Sequence, residues 1–297
     1  MKVIKPTEVL NSTLVSSNVT ADANPEWNSS TSYTLGDVVK VSDDGVHKLY
    51  TALGSSLNSY PPNNPTDWEE GATTNRWKMF NQVVQDQTVF ASSIDVTVAQ
   101  GAIINGIALI NVYCDSIDVT VTDPVDGVVY DETFSMVSTS GISNWYEYFF
   151  TNVERKTELA IVDLPPYPNA EINVVLNGTG DVKCGALVFG QAVIIGDSQY
   201  GANFGIIDYS TKNVDDEGNI TISEGAYADE ANIDVVIQTY RFAQVKKILT
   251  QLRNIPCVWV VNEATEGTVL YGYYREFDVL YTGPVVAMCT LSIEGLI

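Results

Sequence analysis

Residues 27–52 read WNSSTSYTLGDVVKVSDDGVHKLYTA, and this stretch decides the fold of the N-terminal part of the chain. Residues 37–41 alternate polar and apolar side chains as a half-buried strand does. Residues 43–45, Asp-Asp-Gly, are a hairpin turn signal, and residues 48–52 form the returning strand. We predict a small three-stranded aromatic module over residues 24–74.

The aromatic residues of this module are its candidate carbohydrate-binding residues. A module of this size buries little apolar surface, so its rings must supply most of its core. The same rings can stack on the C–H faces of sugars while neighbouring polar side chains bind the hydroxyls. The candidates are Trp27, Tyr33, Tyr50, Tyr60 and Trp68. We interpret Trp27, Tyr33 and Tyr50 mainly as core residues, whereas Tyr60, beside two prolines in a loop, suits an exposed platform equally well.

Composition and charge restrict the class of protein. The chain has 297 residues, 45% of them hydrophobic and 18% charged, which indicates about two or three folded domains. Abundant Val, Ile, Thr and Tyr favour a mostly β fold. A net charge of −22 opposes binding to nucleic acid or to anionic lipid. No apolar run approaches the ~20 residues that span a bilayer, so we expect no membrane insertion.

The rest of the chain divides into three further segments. Residues 1–23 are predicted to be an N-terminal arm, a terminal segment that is ordered only when it packs against another protein surface. Residues 75–195 contain short strands at regular spacing, including the aromatic run at 145–150 and a predicted turn at 177–178, and predict a jelly-roll-like β-sandwich. Residues 196–297 predict a small α+β anchoring domain. Its helix is indicated by apolar residues on one face, namely Val245, Ile248, Leu249 and Leu252.

No arrangement of residues predicts catalysis. Gly196-Asp197-Ser198 follows an apolar strand, as the nucleophile of one esterase class does, but the single histidine, His47, lies far upstream. We therefore interpret residues 196–198 as a strand-ending turn. The possibility of a carboxylate pair for glycoside hydrolysis stays open, because spacing in sequence does not give separation in space. We predict no enzyme and no cofactor.

Two sets of residues bear on metal binding, a polar loop and the cysteines. Loop residues match the spacing of a calcium loop, and the same segment also reads as a hairpin turn, which we favour. These residues are Asn213, Asp215, Glu217, Gly218, Ile220 and Glu224. The four cysteines lie in apolar runs without a CxxC pair, which predicts buried free thiols and no zinc. They are Cys114, Cys184, Cys257 and Cys289.

The module resembles chitin- and cellulose-binding modules attached to bacterial polysaccharide-degrading enzymes. A series of matching positions carries the resemblance. They are Trp27, Tyr33, Gly36-Asp37, Val39, Tyr50-Thr51-Ala52, Pro62 and Trp68. The resemblance implies stacking of sugar rings on aromatic side chains. In that class an aromatic pair follows the Tyr-x-Ala strand, whereas residues 53–58 here contain no aromatic residue.

Nearly the whole chain resembles a tailed-bacteriophage tail or baseplate protein family. Segments spread along the sequence carry this resemblance. They are residues 4–6, 75–80, 145–150, 163–167, 199–201, 205–210, 271–275 and 291–296.

The resemblance implies a non-enzymatic virion tail component, assembled in the host cytoplasm as a symmetric homo-oligomer. Its implied partners are other tail proteins and a host-surface polysaccharide. Two alternatives stay open. One is a purely structural tail adaptor whose module packs on neighbouring subunits, and the other is an accessory module of a polysaccharide-degrading system.

Overall fold

The protein is mostly β. A computed structural model describes residues 1–140, 142–150, 152, 154–214, 218–263 and 265–296. Its helices are α1 (Trp145–Phe150) and α2 (Phe242–Gln251), with 3-10 helices at Pro61–Asn63, Asn75–Phe80 and Thr239–Arg241. Its strands are β1 (Lys2–Thr7), β2 (Leu14–Ser17), β3 (Ser32–Tyr33), β4 (Val38–Val41), β5 (Lys48–Ala52), β6 (Ser56–Leu57), β7 (Trp68–Thr73), β8 (Thr88–Val98), β9 (Gly106–Tyr113), β10 (Ser116–Asp123), β11 (Gly127–Ser135), β12 (Val137–Ser138), β13 (Glu154–Arg155), β14 (Glu158–Val162), β15 (Glu171–Ile194), β16 (Asp197–Ser198), β17 (Asn203–Asp208), β18 (Thr211–Val214), β19 (Ile220–Ser223), β20 (Tyr227–Gln238), β21 (Cys257–Val260), β22 (Val269–Tyr281) and β23 (Val286–Gly295).

Strand β15, 24 residues long, organises a 14-stranded sheet. Its first part pairs antiparallel with β10 and β8, and its last part pairs antiparallel with β9 and β1. Strand β10 shows why these segments are strands, because Ile117, Val119 and Val121 alternate with polar residues and are buried. The strands of residues 75–195 enclose the largest hydrophobic core. The predicted mostly β fold with a β-sandwich is confirmed.

The predicted turn at residues 177–178 is wrong, because β15 continues through it. The register of β15 against β8 shifts between Asn177 and Asp181, so the extra residues form a bulge instead of reversing the chain. The bulge is held by Asp115, whose backbone N–H donates to Asn177 O at 2.7 Å and whose Oδ2 accepts the Thr179 N–H at 3.0 Å. These contacts satisfy the Asn177 carbonyl and the Thr179 N–H at the point where the pairing of β15 with β8 is interrupted.

The predicted N-terminal arm is corrected in its first part, where β1 is an interior strand of the large sheet. Lys2 pairs with Ile194 of β15 on one side and with Val260 of β21 on the other. Val3 and Ile4 are fully buried. Because β1 lies between β15 and β21, the predicted sandwich and the predicted α+β domain share one continuous sheet.

The C-terminal part has the predicted α+β organisation. Strands β21, β22, β23 and β20 are neighbours in that order, all antiparallel. Helix α2 buries Val245 and Leu249, and Leu252 directly after it, in the core that this part of the sheet forms. The Tyr274 hydroxyl donates to Leu249 O at 2.8 Å and ties the helix to β22. The predicted amphipathic helix is confirmed.

Candidate functional site

The aromatic module has its own small core. Strands β4, β5 and β7 form the predicted three-stranded sheet, and β3 pairs with β6. Tyr33, Tyr50 and Trp68 are at most 6% exposed and pack with Val39 and Val41. These rings present no face to a ligand, so the platform prediction is withdrawn for Tyr33, Tyr50 and Trp68. Their burial follows from the size of the module, which has few other apolar residues.

Two polar contacts fix the orientation of the buried rings. The Trp68 indole Nε1 donates to Ser59 O at 2.9 Å, and the Tyr33 hydroxyl accepts the Asn28 N–H at 2.8 Å. The rings of Tyr33 and Trp68 meet edge to face with centroids 5.1 Å apart. The rings of Tyr33 and Trp68 therefore each have both an apolar contact and a partner for the polar atom.

A tight turn sets the start of the module's sheet. Gly36 has φ of +88°, a conformation that glycine adopts without steric cost. The Asp37 carboxylate accepts hydrogen bonds from the Thr34 N–H at 2.7 Å and the Thr34 hydroxyl at 3.0 Å. The Gly36-Asp37 pair therefore has a structural role, which is to close the turn before β4.

Trp27 and Tyr60 are the two predicted platform residues that stay partly exposed. Their rings meet edge to face with centroids 5.2 Å apart. The Tyr60 hydroxyl donates to the Asp43 carboxylate. Burial, and then the hydrogen bond to Asp43, raise the pKa of Tyr60 to about 12, so the phenol stays protonated at neutral pH. The pair forms a partly exposed aromatic surface with a carboxylate at its edge, and we call Trp27, Asp43 and Tyr60 the platform.

The module is attached to the body of the protein by contacts from several segments. The His47 ring stacks on Trp77 with centroids 3.6 Å apart and planes 4° from parallel. His47 O accepts the Thr74 N–H at 2.8 Å, and Asp22 Oδ2 accepts the Asn75 N–H at 2.9 Å. Lys40 Nζ of the module donates to Asp22 O at 2.9 Å, so Asp22, in the second half of the predicted arm, connects the module to the body.

A groove of about 490 Å³ lies beside this attachment, between module and body. Val46, His47 and Lys48 line it from the module, and Trp77 and Tyr271 line it from the body. His47 is 5% exposed, and neither ring nitrogen has a hydrogen-bond partner among the described residues. Burial lowers the pKa of His47, against the opposing effect of Asp44, Asp43 and Glu26. No sequence pattern predicts this groove, because its walls come from distant segments.

The prediction of a strand at residues 145–150 is wrong, and this segment forms a second aromatic surface. The structure has helix α1 there, and its five aromatic side chains are 59–77% exposed. Asn144 Oδ1 accepts the Glu147 N–H at 3.0 Å, and the Glu147 carboxylate accepts the Ser143 N–H at 2.6 Å. This is close to a capping box, and the Asn-x-x-Glu spacing is the signal that identifies the helix start.

Ser198 and the four cysteines, the candidate nucleophiles, are held in the fold and not presented for catalysis. Ser198 lies in β16, and its hydroxyl donates to Val261 O at 3.1 Å. All four cysteines are buried and free, as predicted. Burial raises the pKa of Cys114, Cys257 and Cys289 to about 12 and raises that of Cys184 further, so the thiols stay protonated.

The candidate calcium loop is only partly described. Asp215 and Glu217 lie outside the described residues, while the flanking strands β18 and β19 pair antiparallel, as a hairpin does. In the described part of the chain, no group of three or more His, Cys, Asp and Glu is arranged to hold a metal ion. Among the same residues, no helix combines the length and apolar character that crossing a bilayer requires. Comparison of the chain with protein-family models, with curated proteins and with solved structures finds no match.

Proposed function

We propose that this protein is a non-enzymatic structural component of a bacteriophage tail that contacts a host-surface glycan through its aromatic module. The observation that carries the glycan part is the platform, where Trp27 and Tyr60 remain partly exposed beside the Asp43 carboxylate. The tail part is supported by the sequence segments that resemble tail proteins. The stack of His47 on Trp77 attaches the module to the body, which suits a rigid virion part.

The platform has the chemistry that a neutral sugar requires. Aromatic rings contact the C–H faces of a pyranose, and carboxylate oxygens accept hydrogen bonds from its hydroxyls. Glu26 lies near enough to Tyr60 to help raise its pKa, and its carboxylate is held by the Ser42 N–H at 2.8 Å and the Ser42 hydroxyl at 2.9 Å. A surface this small binds one sugar weakly, so effective attachment needs several copies acting together.

Substitution of Tyr60 tests the glycan proposal. We expect Tyr60→Ala to weaken binding to purified host-envelope polysaccharide about tenfold, which corresponds to about 1.4 kcal/mol. Tyr60→Phe keeps the ring and removes the hydroxyl that contacts Asp43, so it should have a smaller effect. Tyr200→Ala is the matched control, because Tyr200 is a fully exposed tyrosine elsewhere on the chain. Calorimetry measures binding, and thermal unfolding checks the fold.

A loss of thermal stability in Tyr60→Ala without weaker polysaccharide binding would argue against the platform. Point substitutions are preferable to deletion of residues 1–75 for this test. Such a deletion would remove β1 from between β15 and β21 and disturb the whole sheet. A deletion therefore cannot separate loss of binding from loss of fold.

A second candidate function is a tail adaptor whose module packs on neighbouring subunits. Three leucines of the module, Leu35, Leu53 and Leu57, are exposed, Leu35 by 75%. Exposed aliphatic side chains suit a protein surface better than a hydroxyl-rich sugar. Replacement of all three by serine should leave polysaccharide binding unchanged under the glycan proposal. Under the adaptor alternative it should abolish incorporation into assembled tails.

A further inference from the structure

The groove between the module and the body has the dimensions of a ligand site. Its volume of about 490 Å³ lies within the roughly 300–1,000 Å³ of small-molecule sites. Its walls come from separate parts of the fold, with Val46 and Lys48 from the module, Thr7 from β1 and Tyr271 from β22. A cavity at the junction of separate segments is a place where proteins commonly bind small molecules.

Two deeply buried side chains that line the groove have polar atoms without partners. His47 is 5% exposed and Tyr271 is 6% exposed. Among the described residues, neither the ring nitrogens of His47 nor the Tyr271 hydroxyl has a hydrogen-bond partner. Burial raises the pKa of Tyr271, so the phenol keeps its proton and can donate. Most buried polar side-chain atoms in folded proteins are hydrogen-bonded, so their meeting at one groove indicates a polar ligand.

The groove walls also carry exposed polar side chains that are not engaged elsewhere. The Glu8 carboxylate and the Gln82 amide both line the groove, and neither has a hydrogen-bond partner in the described part of the chain. Lys48 lines it as well and is ion-paired with Glu70. Because Glu8 and Lys48 carry opposite charges, the walls suit a neutral ligand. Sugar hydroxyls are neutral groups that both donate and accept hydrogen bonds, as these walls require.

The groove lies one turn away from the platform. The Val46 N–H donates to Asp43 O at 3.0 Å, so Asp43 of the platform and Val46 of the groove are the two ends of one β-turn. The ends of a β-turn lie within about 7 Å of each other. Val46 also packs, as Trp27 and Tyr60 do, against the core of the module. Neighbouring sugar residues of one chain can therefore contact the platform and the groove together.

We propose that the groove is a second saccharide site, which binds the sugar residues next to the one that lies on the platform. This inference rests on the proposed function, because it takes the platform's glycan as the ligand. The Tyr271 hydroxyl donates to a sugar oxygen, and the Glu8 carboxylate accepts from a sugar hydroxyl. Contacts at the platform and in the groove add within one binding event, so affinity should rise with the length of the glycan.

Calorimetry of the full chain with single sugars and with longer fragments of host-envelope polysaccharide tests the proposal. Wild-type affinity should be at least about tenfold higher for the longer fragments. Tyr271→Phe and Glu8→Ala should each weaken binding of the longer fragments about fivefold and leave binding of single sugars unchanged. Tyr60→Ala should weaken binding of both. Tyr200→Phe is the matched control, because it removes an exposed tyrosine hydroxyl elsewhere on the chain.

Equal affinity for single sugars and longer fragments would overturn the groove site and leave the platform intact. A gain with length that Tyr271→Phe and Glu8→Ala both retain would do the same. A wild-type chain that binds neither probe would overturn the proposed function and the groove together. Weaker binding in the two groove variants, with unchanged binding in Tyr60→Ala, would support the groove and reject the platform. Thermal unfolding checks each fold, and Glu8→Ala, at an exposed side chain, keeps the test decisive if Tyr271→Phe is unstable.

Discussion

The aromatic module and helix α1 are both short and rich in aromatic residues, yet their rings have opposite environments. In the module, Tyr33, Tyr50 and Trp68 are buried among strands. In α1, Trp145 and Phe149 are among five exposed aromatic residues. Aromatic content alone therefore does not predict exposure.

The difference comes from the neighbouring residues. In the module, the turns at Gly36 and at residues 43–45 return the chain, so that strands place their rings against one another. In α1, Asn144 and Glu147 close a single capped turn of helix. Among the described residues of α1 no side chain is buried, so its rings remain exposed.

The largest expected effect is on the module core. Trp68→Ala removes a side chain that is 2% exposed and leaves a cavity, so the free energy of unfolding should fall by about 3–5 kcal/mol. Urea unfolding followed by circular dichroism measures the change. A decrease in the free energy of unfolding of less than about 1 kcal/mol would contradict the burial of Trp68. The module rings would then not differ from the exposed rings of α1.

A smaller effect is expected from Tyr33→Phe, which keeps the buried ring and removes only its hydroxyl. The substitution deletes the acceptor of the Asn28 N–H, so stability should fall by about 1 kcal/mol. Comparison with Tyr33→Ala in the same urea titration separates the hydrogen bond from the ring. Equal losses in the two variants would show that the ring contributes nothing.

Titration of His47 tests how the module is attached. Burial lowers the pKa of His47 in the folded protein below its ordinary value of about 6.5. The unfolded chain therefore binds the proton more readily, so the His47 contribution to stability is complete above about pH 6.5. It is lost progressively as the pH falls from there through the folded-state pKa.

His47 is the single histidine of the sequence, so its imidazole resonances in an NMR titration are unambiguous. The expected midpoint lies below that of the same residue in the urea-unfolded chain. A midpoint equal to the unfolded value would mean that the ring is solvated. In that case the stack on Trp77 does not hold the module in place.

The smallest expected effect on stability is that of Trp145→Ala in α1. The side chain is 77% exposed, so stability should change by no more than about 0.5 kcal/mol at concentrations where the chain is monomeric. The same urea titration applies, with Trp68→Ala as the matched tryptophan truncation. A loss of about 2 kcal/mol or more would show that α1 packs on the body of its own chain.

Features that depend on residues close in sequence were predictable. The alternation of Ile117, Val119 and Val121 identified a strand, and the spacing of Val245 and Leu249 identified the helix face. The same holds for the hairpin between β4 and β5, whose turn chemistry lies within residues 43–45. In each case period and turn preference act over a few residues, so the sequence contains the whole signal.

Features that depend on distant partners were decided by the tertiary structure. The apolar run Val3-Ile4 is too short to predict an interior strand. Strand β1 forms because it pairs through backbone hydrogen bonds with β15 on one side and with β21 on the other. The division of the candidate platform residues into buried Tyr33, Tyr50 and Trp68, and partly exposed Trp27 and Tyr60, also depends on packing. The sequence by itself determined elements whose signal is local, such as strand β10 and helix α2, since periodicity and turn chemistry specify them. Only the tertiary structure decided which aromatic faces are covered, because burial depends on contacts between segments far apart in the chain.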